Sequence, residues 1–77
     1  MPRIPIIKAK DFYKHLIKYG CDEAGITGSH HNVRYKRTNK ASTVPVHGGD
    51  DLKKGTFAGI LKQLGIDIND FIDFINK

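Results

Sequence analysis

Three of the four histidines sit where a side chain could move a proton. His30 and His31 directly follow Gly28-Ser29, and His47 precedes Gly48-Gly49. From His30 onward the run Asn32-Val33-Arg34-Tyr35-Lys36 alternates polar and apolar residues. Successive side chains of a β-strand point to opposite faces. His31, Val33 and Tyr35 then share an apolar face, while His30, Asn32, Arg34 and Lys36 share a polar one. Imidazole titrates near neutrality and can donate or accept a proton. Cations and helix N-terminal amides can hold a phosphate. Together these suit metal-independent cleavage of RNA, whose 2′-hydroxyl is its own nucleophile. His30, with His47 or Ser29 nearby, would move the protons. Arg34, Lys36 and the helix start at Lys53-Lys54-Gly55-Thr56 would hold the phosphate. A polar strand face is also what any half-solvated antiparallel sheet presents, so the rest of the chain must decide.

Two other chemistries fit the residues poorly. Metal binding by His30, His31, His47 and Cys21 would need adjacent strand residues to converge, and there is no CxxC or HxxxH spacing. Nucleophilic catalysis by Cys21 has nothing to mark it, because the residue follows a helix-stopping glycine and free cysteines are usually buried packing residues. No metal or cofactor is expected.

Charge supports a polyanionic partner. The 77 residues carry a net charge of +5, unevenly spread. Residues 1–64 hold twelve Lys/Arg against five Asp/Glu, a balance of +7, and residues 65–77 hold one Lys against three Asp, a balance of −2. A basic body of this kind attracts nucleic acid. The single cysteine excludes an internal disulfide framework and suits a reducing cytoplasm. No apolar run approaches the ~18 residues of a membrane span, and no signal peptide is evident.

The elements that must position these residues follow from spacing. Residues 1–7, with two prolines, read as an extended lead-in. Phe12, Leu16 and Tyr19 fall at i, i+4 and i+7 of a helix over Lys8–Tyr19, stopped by Gly20. His15 lies beside that stripe and reads as structural. Cys21–Thr27 predicts a weak edge strand, Gly28-Ser29 a turn, and His30–Arg37 the second strand. A turn at Thr38-Asn39-Lys40 leads to a third strand over Ser42–His47, with Val44 and Val46 inward. Pro45 cannot donate to a ladder, which places it at an edge or with its missing donor outward. If Val33 and Val46 share the core face, allowed registers set His30 or Asn32 opposite His47, the first with a loop at 37–40. A second helix carries Phe57, Ile60, Leu61 and Leu64 inward, capped by Thr56 or Asp51 and ended by Gly65. A short third helix begins at Asp67 or Asn69, with Ile68, Phe71, Ile72 and Ile75 as its apolar residues and Asp70 and Asp73 on the outside. The order α-β-β-β-α-α is satisfied by a three-stranded antiparallel sheet with helices on one face, leaving the other face for a ligand.

With these motifs in order, the chain resembles the HicA toxins (the YcfA-like mRNA interferase family) of bacterial type II toxin–antitoxin systems. The resemblance covers nearly the whole chain. It is carried by the prolyl lead-in, the first helix ending in Tyr19-Gly20, Gly28-Ser29-His30-His31, and Thr43-Val44-Pro45-Val46-His47-Gly48-Gly49. Leu52-Lys53-Lys54-Gly55-Thr56-Phe57 and Ile60-Leu61-Lys62-Gln63-Leu64-Gly65-Ile66 complete it. It implies a double-stranded-RNA-binding-domain-like (dsRBD-like) fold and ribosome-independent mRNA cleavage. The family's catalytic histidine, the first after the glycine-serine turn, maps onto His30, and the second, His31, is variable. The resemblance further implies a HicB antitoxin that covers the active face, with operator DNA bound only through the antitoxin. One departure is Asp22-Glu23-Ala24-Gly25-Ile26-Thr27, where family members often have a longer hydrophobic, basic strand.

The expectation is therefore an α+β, dsRBD-like domain over residues 1–77 with a short extra C-terminal helix. Its expected activity is cytoplasmic mRNA cleavage, with His30 as general acid or base and His47 as helper. Ser29, Arg34, Lys36, Lys53 and Lys54 are the expected RNA contacts. The alternative is a non-catalytic RNA-binding module of the same fold; a pure protein-interaction domain would leave the helix-start lysines without a task.

Overall fold

The computed structural model describes residues 3–77; Met1 and Pro2 of the lead-in lie outside them. The rest of the lead-in is non-helical up to Lys8. Its backbone docks on the segment that leads into the second helix. Leu52 N–H donates to Ile7 O at 2.8 Å, Ala9 N–H donates to Asp50 O at 3.1 Å, and Lys8 bridges Asp51. Helix α1, Ala9–Tyr19, has no side-chain cap; the Asp50 carbonyl takes its first amide, one of the four that lack a partner within the helix. Phe12 and Leu16 are buried as their spacing predicts, Ala9 joins them, and Tyr19, the third residue of the expected stripe, is only half-buried.

Three strands follow: β1, Cys21–Thr27; β2, His30–Tyr35; and β3, Lys40–Pro45. They form an antiparallel sheet in the order β1-β2-β3, so β2 is central and β1 is an edge. Thr27 pairs with His30 across the two-residue turn Gly28-Ser29. Gly28 has φ +60 at the first turn position, where a type II′ hairpin requires glycine. Further along β1 the register shifts: Glu23 faces Val33, Ile26 faces His31, and Ala24 and Gly25 together stand opposite Asn32. This is a β-bulge, and Gly25, at φ +112, supplies the backbone conformation it needs.

The β2–β3 register corrects the expected one. His30 pairs with Pro45 and Asn32 with Thr43, and the loop is 36–39 rather than 37–40. Strand β3 therefore ends at Pro45 instead of His47, and Lys36 and Arg37 belong to the turn. Non-local contacts hold this turn. Asn39 sits at φ +60 with its N–H on Tyr35 O at 2.8 Å. Thr38 Oγ1 donates to Leu64 O at 2.6 Å, fastening the turn to the end of the second helix. Val46 N–H donates to Ser29 O at 2.7 Å. Hydrogen-bonded pairs alternate with non-bonded ones, so the His30/Pro45 pair is a non-bonded one. Pro45's missing donor thus costs the ladder nothing.

Helix α2, Lys54–Leu64, begins earlier than Thr56 and is preceded by Lys53 without a side-chain cap; neither Thr56 nor Asp51 caps it. Asp51 is instead bridged to Lys8. Helix α3, Ile68–Ile75, does start at Asp67, whose carboxylate accepts from Asp70 N–H at 3.1 Å. The helices cover one face of the sheet. Val33, Val44 and Cys21 from the strands join Phe12, Leu16, Phe57, Ile60, Leu61, Leu64 and Phe71 in one buried cluster. Phe12 lies 4.9 Å from Phe57 and 5.5 Å from Phe71 between ring centroids, so these two contacts through one ring join all three helices. The observed architecture is the α+β, open three-stranded arrangement that the element order predicts.

Candidate functional site

Strand alternation sorts the histidines as the sequence suggests. His31 faces the helices: it is half-buried, pairs with Val44, and its ring meets Tyr13 edge-on at 4.7 Å. Its buried Nδ1 has no hydrogen-bond partner. His30 faces the open side and is exposed. It stands on the central strand between Thr27 of β1 and Pro45 of β3. No side-chain hydrogen bond ties its imidazole down among the described residues, so both ring nitrogens are available to a ligand.

Further along the open face come Asn32 and then Arg34. Asn32 Oδ1 accepts from Thr43 Oγ1 at 2.7 Å. Arg34 Nη1 donates to Asn39 O at 3.1 Å and to Asn39 Oδ1 at 3.3 Å, which aims the guanidinium at the β2–β3 turn. Lys36 pairs with Asp22 at 3.3 Å, both side chains well exposed, an arrangement that water and salt weaken. At ~3.3 Å per residue the Cα of Arg34 is roughly 13 Å from that of His30. The phosphate-binding candidates are thus spread along the strand rather than gathered at one atom.

The other candidates lie outside β2. Thr38 holds Leu64 and Ser42 donates to Gln63, which fixes the C-terminal end of α2 beside the β2–β3 turn. Lys53 and Lys54, at the N-terminus of α2 on the helix-covered side, are exposed. Ser29 is half-buried and its carbonyl is engaged by Val46. His47 lies two residues past Pro45, exposed in the connection to α2. The observed register would set it beside Gly28, not opposite His30 or Asn32, so the expected pairing of two imidazoles across the strands does not form. Thr43 is not among the residues that the sequence marks. Its relevance comes from its cross-strand partner, which only the register reveals.

Buried groups near the sheet are tuned away from reactivity. Burial, with Asp22 second, pushes the Cys21 thiol up to about 11, so it is protonated at neutral pH and a poor nucleophile. Burial, followed by the hydrogen bond and charge of Glu23, pushes the Tyr13 phenol up to about 12. Raised folded-state values mean that the native state holds these protons more tightly than the unfolded chain. Stability is therefore expected to be unaffected by these groups below about pH 9 and to fall as pH rises through 9–12. Thermal melts at pH 8, 10 and 11 check this, and Tyr13→Phe should remove part of the fall above pH 10. An unchanged melting temperature from pH 8 to 11 would refute it.

Residues 9–66 match the family model described as the HicA toxin of bacterial toxin–antitoxin systems. The chain belongs to the HicA toxin family. No curated protein matches it closely. The matched span opens with α1 and closes just after α2, so it includes the whole sheet, His30 and Lys53-Lys54. As a HicA-family toxin the protein belongs to a toxin–antitoxin pair and has a cognate antitoxin as partner. No described helix is long and apolar enough to cross a membrane.

Proposed function

We propose that this HicA-family toxin is a cytoplasmic endoribonuclease that cleaves mRNA by metal-independent acid–base chemistry, acting as one domain over residues 1–77. The exposed His30 on the open face of the central strand is the observation that carries the proposal. In the step, a base takes the proton of the 2′-hydroxyl and O2′ forms a bond to phosphorus. The P–O5′ bond breaks, and an acid protonates the leaving O5′. The products are a 2′,3′-cyclic phosphate and a 5′-hydroxyl, so no water or cofactor is consumed. His30 performs one of the two proton transfers; His47, in the loop after β3, is the secondary candidate for the other. Ser29 and Arg34, with Lys36, Lys53 and Lys54, hold the RNA backbone.

Cleavage of a purified mRNA in EDTA, with the new ends analysed, tests this. Metal-free cutting that leaves cyclic phosphates is expected; the absence of any cutting would overturn the enzyme assignment. Replacing both Lys53 and Lys54 with Ala should weaken RNA binding and reduce the slope of log K against log salt by about 1.4, at ~0.7 for each single-strand contact. An unchanged slope would remove these lysines from the interface.

We further propose that the antitoxin is HicB-like, occludes the open face, and carries any operator-DNA contact itself. The second reading, a non-catalytic RNA-binding module, is favoured by one observation: no second imidazole stands in register with His30. RNA binding without products would select it.

A further inference from the structure

Around Asn32 and Arg34 the open face forms a shallow depression of about 810 Å³, which continues past Ala41 and Thr43 of β3 to Lys40 and Gln63. Its flanks are small residues, Ala24 from β1 and Ala41 from β3, and Asn32 stands between them on the central strand. The β-bulge lies at the same level, because Ala24 and Gly25 together oppose Asn32. An extra residue there bends the edge strand and locally re-aims its side chains. The sheet thus has a shallow seat with one amide in its floor, and the candidate catalytic histidine stands outside that lining, two residues along the same strand.

That amide is oriented. Thr43 Oγ1 donates to Asn32 Oδ1 at 2.7 Å, so one carbonyl lone pair is occupied and the two Nδ2 hydrogens are left for a ligand. An asparagine reads adenine by a bidentate pair that uses both its carbonyl and its NH₂ group. With the carbonyl engaged, that pair is compromised, and the side chain acts chiefly as a donor. It then favours guanine, whose O6 and N7 are adjacent acceptors, or the O4 of uracil, over adenine, whose N7 acceptor adjoins the N6 donor.

We infer that Asn32, held by Thr43, is a base-reading residue: the depression seats the nucleobase adjoining the scissile phosphate and selects guanine or uracil over adenine. The placement beside the cut rests on the endoribonuclease assignment; the binding preference does not. Asn32 and His30 are two residues apart on one strand face, roughly 7 Å, close enough to serve neighbouring parts of one dinucleotide. Arg34, turned toward Asn39, borders the seat on its other side.

The test uses four single-stranded RNAs differing at one position beside a single cut site, with matched 2′-O-methyl versions for binding. Wild type should cut or bind the guanine or uracil RNA on the order of tenfold better than the adenine one, within the range of a good base contact. Asn32→Ala should flatten the preference, and Asn32→Asp, which offers only acceptors, should likewise lose the contact to guanine O6/N7 or uracil O4. Thr43→Val should flatten it in part but add nothing in an Asn32→Ala background, because it acts through that amide. Circular dichroism checks that each variant is folded. An unselective wild type, or a preference untouched by Asn32→Ala, would overturn the inference. If the cleavable RNAs stay intact while the 2′-O-methyl series shows the preference, the enzyme assignment fails and the base-reading site stands.

Discussion

Replacing His30 with alanine is expected to lower mRNA cleavage in EDTA by about 10²–10⁴-fold, the usual contribution of a positioned general acid or base. The melting temperature should hardly change. His30 is exposed at the end of the central strand and makes no side-chain hydrogen bond among the described residues, so truncation leaves neither a cavity nor a stranded partner. Surface substitutions of this kind usually stay within ~0.5 kcal/mol of the parent. His31→Ala is the informative contrast. That ring packs on Tyr13 on the opposite face, so its loss should cost stability while sparing the chemistry of whatever protein remains folded. His47→Ala should cause a smaller loss of rate than His30→Ala. Full cleavage by a folded His30→Ala protein would sink the catalytic assignment, whichever residue then proved responsible.

The difference between His30 and His31 is legible in the sequence, because a strand with one wet face has a period of two and neighbours must separate. The register is not. It depends on Asn39 taking a left-handed conformation, on Arg34 reaching that turn, and on Thr38 reaching Leu64. The last of these joins residues 26 apart in sequence, beyond what local alternation can convey. A slip of two residues keeps every face correct yet carries His47 off the end of the sheet. The start of α2 is hidden for a related reason. Thr56 looks like a cap, but the pairing of Leu52 with Ile7 anchors the chain earlier, and the helix begins at Lys54. In β1, the acids and glycine that suggest a weak strand surround a bulge opposite Asn32, on both sides of which the strand stays paired. Thr43 gives no signal of its own, because a lone threonine on a strand has no meaning until its partner is known.

Phe71→Ala should destabilise the fold by about 3–5 kcal/mol, the range for removing a phenylalanine from a packed core. Phe71 belongs to α3, outside the matched span of residues 9–66, yet it is fully buried. Its ring centroid lies 5.5 Å from Phe12, 5.9 Å from Phe57 and 5.3 Å from Tyr19, so alanine would leave a void shared by all three helices. Small domains commonly have ~5–15 kcal/mol in total, and 1 kcal/mol moves the melting temperature of a chain this size by about 4–8 °C. A drop of well over ~10 °C is therefore expected by thermal melting, and Phe71→Leu, which keeps most of the volume, should recover much of it. A negligible drop would mean that α3 is an ornament on a core already closed by α1 and α2. The expected loss instead makes α3 part of what holds the first two helices together. Activity should then follow the folded fraction in Phe71→Ala, falling with temperature and recovering on cooling, whereas in His30→Ala it should be absent at every temperature at which the protein is folded.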